Sequence, residues 1–523
     1  MKSRKKKGNV ATGLQIARPK TRPLFSSAFT PISQSSNGAL SVKNSYEAGK
    51  SGRRLSTWRS SGLGPNAAIL PNLDILRDRS QDAIRNNVWI SHAINATVAN
   101  EIGTGITPRS LSSNKNFRAQ VKIAWDRWVK VSDADGVLNY YAQSALACRN
   151  RRGNGETFMR YRQRDFNSEL PVPFQIQMLG AEFCPHNYED QANLIKAGIQ
   201  FNGIAQRIGY WMYPSHPRDI WFNSTFLDLR MVPADLVIHH YKPLREGQLR
   251  GVPTPSQSLI RAKIFDSYED AKLDRKLKKS SYTGFIVQKN FPEDEGDWKF
   301  NPLTGESLVR DTNGAPILDV ETGSFIVGYP GEEPTLFEGD NTGQGFADFV
   351  REPKLGMAAG LDIPYEILTG DMKGLNDRLL RFIVNEFHRL LEQDQWHLDI
   401  PQVGENVWKW FIDTGVLSGR FDAPGFAENR DDYLSVEWRP DGWPYLHPVQ
   451  DVDAKIKKIK AGLSSQTQTA AEEGEFAEEI DKQNAEDKKR HEDMGLNYDL
   501  SSQADPTPPA DPASQDAGAG GPT

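Results

Sequence analysis

The stretch that decides the fold is KLGMAAGLDIPYEILTGDMKGLNDRLLRFIVNEFHRLLE, residues 354–392. Pro364 lacks an N–H and biases Ile363 towards extended geometry, so we expect a first helix to end near Asp362. Residues 369–374 follow with turn chemistry, including two glycines that can adopt positive φ. A longer helix then carries apolar residues on one face: Leu379, Leu380, Ile383, Val384, Phe387, Leu390 and Leu391.

Length and composition indicate a polar chain with several domains. The chain has 523 residues, enough for more than one sizeable core. Its mean hydropathy is −0.59, and no run approaches the roughly 18 apolar residues that a membrane helix needs. The basic start, MKSRKKKGNV, lacks the apolar segment of a secretory signal. Two cysteines, Cys148 and Cys184, exclude a disulfide scaffold and fit a reducing compartment.

The net charge of −5 conceals a strong asymmetry between the two ends. Residues 1–60 hold thirteen Lys or Arg and one acid, Glu47, whereas residues 464–523 hold fourteen acids and four basic residues. Such ends are typical of solvated, disordered tails. The alternative is that the basic arm binds nucleic acid or an acidic partner, and composition does not separate the two.

Periodicity divides the rest into helical and strand-rich parts. Residues 74–99 and 117–150 have helical patterns, the second broken at 133–136, and several stretches between 156 and 241 alternate as strands do. A long helix is predicted over 255–279. Residues 290–345 are acidic, with twelve acids and two basic residues, and contain short β-prone pieces. An aromatic-rich helical segment follows residue 391.

Several passages resemble the lambda family of tailed-phage portal proteins. The most specific is GLDIPYEILTGD, residues 360–371. Its neighbours Arg381, Glu386, Phe387 and Arg389 also fall where the family has those residue types, although Asp377-Arg378-Leu379 stands where the family usually has Tyr-Ser-Ser. Further similar passages lie at 74–105, 232–253 and 443–462. The resemblance covers roughly residues 74–465.

The resemblance implies an α+β ring subunit with a helical stem, a mixed α/β wing and clip, and a helical crown. The expected parts are a disordered basic arm at 1–65, the wing at 66–253, a stem helix at 254–282, the clip at 283–345, a second stem helix and tunnel loop at 346–375, a kinked long helix with wing return and crown at 376–465, and an acidic disordered tail at 466–523. A closed ring further predicts apolar stem faces with no partner inside one subunit.

The implied function is a ring, expected to be dodecameric, at one capsid vertex of the virion, assembled in the host cytoplasm. Double-stranded DNA is packaged through it by the terminase large subunit and ejected into the tail. Expected partners include head-completion or adaptor proteins and capsid and scaffold proteins, with DNA passing non-specifically and no membrane contact. We expect Asp371, Lys373 and Asn376 to line the DNA channel, although Lys373 fits an ordinary polar turn equally well.

The sequence leaves one alternative function open and argues against another. A capsid or head–tail adaptor protein without DNA contact is compatible with the same composition. An enzyme lacks support, since Gly49-Lys50-Ser51 has no upstream glycine for a phosphate loop and no catalytic motif stands out. His239 and His240 are adjacent on a predicted strand, so they should face opposite sides and not share a metal. We therefore expect neither metal nor cofactor.

Overall fold

The computed structural model describes Thr57 and residues 61–219, 228–286, 324–327, 346–443 and 448–496. The chain divides into two units, Met1–Gly62 and Leu63–Thr523, and the elements below belong to the second. Nearly all of the predicted arm at 1–65 and most of the predicted clip at 283–345 lie outside the described residues.

Near the start of the second unit, asparagine side chains cap three helices, α3, α4 and α5. Asn87, Asn114 and Asn139 each accept a backbone N–H from the first turn of the helix that follows, which satisfies a donor that has no partner within the helix. Both predicted helical regions are confirmed, and the break falls between α4 and α5. The bounds are α1 Pro65–Ile69, α2 Leu73–Asn86, α3 Val88–Glu101, β1 Thr107–Ser110, α4 Lys115–Trp128 and α5 Tyr140–Asn154.

Two antiparallel sheets follow in the strand-rich part. The first has the order β3-β2-β8, and the second runs β4-β5-β6-β7 as a meander. Strand β2 lies in the centre of the first sheet, where Phe158 pairs with Leu179 on one side and His239 on the other. The bounds are β2 Glu156–Gln163, β3 Phe174–Leu179, β4 Ile195–Lys196, β5 Ile199–Phe201, β6 Arg207–Met212, β7 Arg230–Pro233 and β8 Val237–Tyr241.

A group of helices then packs around one apolar core. The long helix α6 has 23 residues, about 34 Å at a rise of about 1.5 Å per residue. Buried side chains of α3, α6, α7, α8 and α9 form this core, among them Ile90, Phe265, Met357 and Phe387. The bounds are α6 Leu259–Ser281, β9 Tyr282–Ile286, β10 Ser324–Val327, α7 Phe346–Gly360, α8 Tyr365–Thr369 and α9 Asp377–Asp394. Strands β9 and β10 pair in parallel.

Helix α9 continues through a π-helical segment, Gln395–Gly404, into α10. Pro401 lies inside this segment and removes one backbone donor, which favours a change of helical geometry there. Strand β11 then returns to pair antiparallel with β1. The bounds are α10 Glu405–Leu417, α11 Arg430–Leu434, β11 Val436–Arg439, α12 Pro448–Lys460, α13 Gln466–Glu472 and α14 Ala477–Asp493.

Aromatic side chains join α4 and α10 to the first sheet. Trp128 of α4 stacks on Phe174 of β3 with ring centroids 4.7 Å apart, and its indole N–H donates to the Phe174 carbonyl. Trp125 meets Phe411 of α10 edge-on at 5.0 Å. Such pairs add about 0.5–1.5 kcal/mol each beyond the burial of their area. The aromatic-rich segment after residue 391 therefore completes a core that begins near residue 117.

The structure differs from the disorder expected for 466–523, because helices α13 and α14 occupy part of that segment. Phe476, between these helices, is buried and lies 5.3 Å from the guanidinium carbons of both Arg109 and Arg439. Glu478 forms an ion pair with the same Arg109. The buried Phe476, together with ion pairs such as Lys122–Glu479, ties these helices to distant parts of the chain, although their charged composition alone suggested a tail. Residues 497–523 lie outside the described residues.

Candidate functional site

Helix α7 ends where the sequence predicted, in a left-handed turn before Pro364. The Ile363 N–H donates to the Ala358 carbonyl over 3.2 Å, and both residues are buried, which is the bond pattern of a Schellman ending. Asp362 has a φ of +55°, a conformation that glycine favours and aspartate tolerates. Helix α8 begins directly after this turn, with Pro364 at its N-cap position.

The loop between α8 and α9 is shaped by its own hydrogen bonds. Gly370 has a φ of +68°, and its N–H donates to the Glu366 carbonyl over 2.8 Å, ending α8. The Thr369 hydroxyl donates to the Tyr365 carbonyl and accepts the Asp371 N–H. These local bonds shape the turn after α8, whereas α8 itself is also held to α3, because His92 Nε2 lies 3.0 Å from the Ile367 carbonyl oxygen.

The three predicted channel residues lie in this one loop, and two of them have structural roles. The Asp371 carboxylate accepts the Lys373 N–H over 3.2 Å, an Asx turn. Asn376 caps α9, since its side-chain oxygen accepts the Leu379 N–H over 2.9 Å. Lys373 is exposed, and within the described part of the chain it forms no ion pair. Lys373 is therefore the positive charge that this loop presents to solvent, close to the exposed carboxylate of Asp371.

Helices α6 and α9 both expose apolar side chains. Ile260 and Ile264 of α6 are exposed, and so are Phe382 and Leu390 of α9. On a soluble single chain, clustered apolar exposure of this kind marks an interaction surface.

A buried carboxylate ties α2, β2 and the segment after β8 together. Glu156 accepts hydrogen bonds from Arg77 Nη2 at 2.5 Å, Arg250 Nε at 2.7 Å and the Gly251 N–H at 2.9 Å. Burial alone raises the pKa of Glu156, but Arg250 and Arg77 outweigh that effect and hold the pKa well below its ordinary value. We call Glu156, Arg77, Arg250 and His239 the Glu156 cluster.

His239 completes the Glu156 cluster as a neutral ring. Its Nε2 lies 2.9 Å from Glu156 Oε2, and its Nδ1 lies 3.0 Å from Arg207 Nη1. Burial lowers the pKa of His239 to about 4, so the ring is uncharged near neutral pH. Arg207 can only donate, which leaves the His239 proton on Nε2, where it donates to Glu156.

A second buried cluster joins the C-terminal end of α9 to α3 and α5. Arg152 Nε donates to Glu101 Oε2 at 2.6 Å, and its Nη2 donates to Asp394 Oδ2 at 3.0 Å. Gln395 donates to the Glu101 backbone carbonyl at 2.6 Å, and Lys242 Nζ to Asp394 Oδ1 at 2.7 Å. Burial raises the pKa of Glu101 against the opposing effect of the two arginines at 151 and 152.

The adjacent histidines belong to different clusters, as their alternation on a strand predicted. His239 faces Glu156, whereas His240 Nδ1 lies 2.9 Å from Gln402 Oε1 of the π-helical segment. Over the described ranges, no three His, Cys, Asp or Glu residues are grouped so as to hold a metal ion. In the same ranges, no helix has the length and apolar character needed to cross a membrane.

Comparison with known proteins identifies the family to which this chain belongs. The model of the family described as "Phage portal protein, lambda family" matches residues 51–395, more than half of the chain. The chain belongs to the lambda family of phage portal proteins. The match includes α6, α7 and the α8–α9 loop, the elements described above.

Curated portal proteins are similar to this chain over most of its length. Portal protein B of Escherichia phage lambda is 22% identical over 478 residues, covering 83% of this chain and 87% of that protein. The probable portal protein of Halomonas phage phiHAP-1 is 22% identical over 466 residues, 86% of each chain. The portal protein of Escherichia phage N15 is also 22% identical, over 470 residues.

Solved structures give more distant matches. A chain in the neck of an empty GTA particle computed with C6 symmetry is 10% identical with a TM-score of 0.40, covering 76% of this chain and 93% of that one. A chain in the virion of a native gene transfer agent particle is 11% identical with a TM-score of 0.38, covering 79% and 94%. At these TM-scores the similarity adds no argument, and the assignment depends on the family match.

As a portal protein, the chain forms the ring at a capsid vertex through which double-stranded DNA is packaged and ejected, and it is a component of the virion. Portal proteins are structural proteins. The α+β fold class predicted from the sequence is confirmed, with the helices contributing to two main cores and the strands in separate small sheets.

Sequence reasoning missed the two buried clusters of this portal protein. The available signal was the family resemblance itself, because Arg250 and His239 lie in the passage 232–253 and Arg77 and Asn87 in the passage 74–105. In the structure, Arg250 is a buried hydrogen-bond donor and Asn87 caps a helix. Nothing in their local pattern points to Glu156 as the shared acceptor.

Proposed function

We propose that twelve copies of this portal protein close into the ring, with the α8–α9 loop facing the DNA channel. The observation that supports this is the loop itself, a compact turn with internal hydrogen bonds that presents Lys373 to solvent, together with the exposed apolar faces of α6 and α9. A ring uses two different surfaces of each subunit, so such unpartnered faces are what its subunits require.

In this proposal Lys373 centres the duplex without holding it. One lysine per subunit gives a ring of positive charges around the DNA. Each phosphate contact adds salt-sensitive affinity, so a sliding duplex needs contacts that are few and transient. Asp371 and Asn376 then serve the channel indirectly, because they hold the loop and start α9 at a fixed point.

The remaining assignments follow the family organisation. We propose the wing at 66–253, stem helices at 254–282 and 346–362, and the crown within 376–465, assembled in the host cytoplasm with capsid and scaffold proteins. The clip at 283–345 docks the terminase large subunit and later the head-completion or adaptor proteins. The excess of acids in residues 290–345 supports a docking surface for a basic partner that also repels DNA.

Substitution of Lys373 tests the loop assignment. Lys373→Glu should shorten or abolish the packaged genome, and Lys373→Ala should do so less severely, with packaged length measured on DNA extracted from purified particles. Lys196→Glu, which changes an exposed lysine of strand β4, is the matched control and should package normally. Full-length genomes in both Lys373 variants remove the loop from the mechanism.

A further inference from the structure

Helices α6 and α7 leave an open apolar groove on the side of the stem away from the core. Its volume is about 1210 Å³, and Ile260, Ile264, Tyr268 and Phe349 contribute to its walls. Gly356 and Gly360 also line it, and their lack of a side chain lets the Arg261 and Ser258 side chains pack against α7. Ile260 and Ile264 are 72% and 66% exposed, so none of the described residues of the same subunit fills it.

Helix α9 carries the complementary shape, an apolar ridge. Leu379, Phe382 and Leu390 fall on one stripe of the helix, and Phe382 is 64% exposed. The stripe lies apart from Phe387 and Leu391, which α9 buries in the core. The ridge is therefore additional to the face that α9 uses within its own subunit.

Length and charge of the ridge and the groove also match. The ridge extends over eleven residues of α9, from Leu379 to Leu390. The groove extends over eleven residues of α7, from Phe349 to Gly360, and each distance corresponds to about 16 Å of helix. Arg261 and Glu352 line the groove and form no ion pair within the described ranges. On the ridge, Glu386 and Arg389 pair only with each other at the exposed surface, an interaction of little stabilising value. They are therefore available to Arg261 and Glu352 of another copy.

We propose that the ridge of α9 packs into the α6–α7 groove of the neighbouring copy of this chain, so that each subunit is both donor and acceptor. This inference rests on the proposed ring. A groove and a ridge that differ, on one chain, give a head-to-tail contact, which closes into a ring when the rotation allows it. The contact is a helix-in-groove interaction with Phe382 as its central apolar anchor.

Disulfide trapping tests the contact directly. Ile264→Cys and Phe382→Cys, made in two differently tagged full-length chains, should form a heterodimer on non-reducing gels after co-assembly and mild oxidation. The double variant should give a ladder of covalent oligomers. Native Cys148 and Cys184 are buried and unpaired, so they add little background. The matched control pairs Ile264→Cys with Ile204→Cys, which replaces an exposed apolar residue of the β5–β6 hairpin.

The outcomes separate this inference from the ring proposal. Rings seen by electron microscopy, with the heterodimer in the 264–382 pair and not in the control, support the contact. Rings without that crosslink, or with equal crosslinking in the control, overturn the contact and leave the ring proposal standing. Absence of rings from the unmodified chain overturns both.

A charge substitution gives a second, independent measurement. Phe382→Asp should weaken subunit association by about tenfold or more, measured by analytical ultracentrifugation, while circular dichroism and melting of the monomer stay unchanged because Phe382 is exposed. Ile204→Asp should leave association unaltered. Unimpaired association of Phe382→Asp contradicts the proposed contact.

Discussion

Replacement of Glu156 by glutamine is the sharpest test of how the fold is held together. The substitution keeps the shape of the side chain but removes the charge that Arg77 and Arg250 share. Glu156 and Arg250 are both fully buried, so water cannot replace the lost partner. The Gly251 N–H and the His239 Nε2–H must also share an amide that has one acceptor oxygen instead of two.

The expected loss follows from this burial. Removal of one partner from a buried ion pair costs about 3–5 kcal/mol, because an uncompensated charge stays behind. The melting midpoint should then fall by roughly 6–20 °C, taking about 2–4 °C per kcal/mol. Glu246→Gln is the matched control, since Glu246 is exposed in the turn shortly before Arg250 and should change stability by less than about 0.5 kcal/mol.

The effect should also depend on pH. The pKa of folded Glu156 is depressed, so its stabilising contribution is complete above the unfolded value of about 4.3 and disappears as the pH falls towards the folded value. Denaturant unfolding followed by tryptophan fluorescence at pH 7 and at lower pH should show the wild-type advantage over Glu156→Gln shrinking in acid. A difference below about 1 kcal/mol at pH 7 refutes the reasoning.

Two further predictions concern the turn after α7 and the C-terminal helices. Asp362→Gly should raise the free energy of unfolding by about 0.5–1 kcal/mol, because glycine adopts the observed positive φ without strain. Asp362→Ala should lower it in the same denaturant titration, and a gain in the alanine variant contradicts the strain argument. Phe476→Ala should speed proteolysis of 466–496 by about tenfold or more without shifting the main melting transition, since α14 has no buried residue of its own. The exposed Leu463→Ala is the control, and unchanged cleavage of Phe476→Ala shows that Phe476 is not the anchor.

The α8–α9 loop and the helices next to it could be predicted because their signals are local. Pro364 ends one helix through its own geometry, Gly370 ends α8 at a positive φ, and the apolar spacing of α9 defines the next helix. The same local rules predicted most of the other helices and the strands of the first sheet. In each case the deciding interactions lie within a few residues of one another.

The buried clusters and the C-terminal helices could not be predicted because their partners are distant in sequence. Glu156 acts with residues 79 and 94 positions away, and no periodicity indicates such a set. The composition of residues 466–493 predicts a solvated segment. In the structure, however, Phe476 of this segment contacts Arg109 and Arg439. Asn376 is an intermediate case, since its position in the loop was expected but its role as the α9 cap depends on the helix that follows.

Electron microscopy of the purified full-length chain tests the central claim most directly. The account predicts closed rings, twelve-fold in class averages, with a central hole wide enough for duplex DNA. Monomers, open arrays or filaments at concentrations that saturate assembly contradict it.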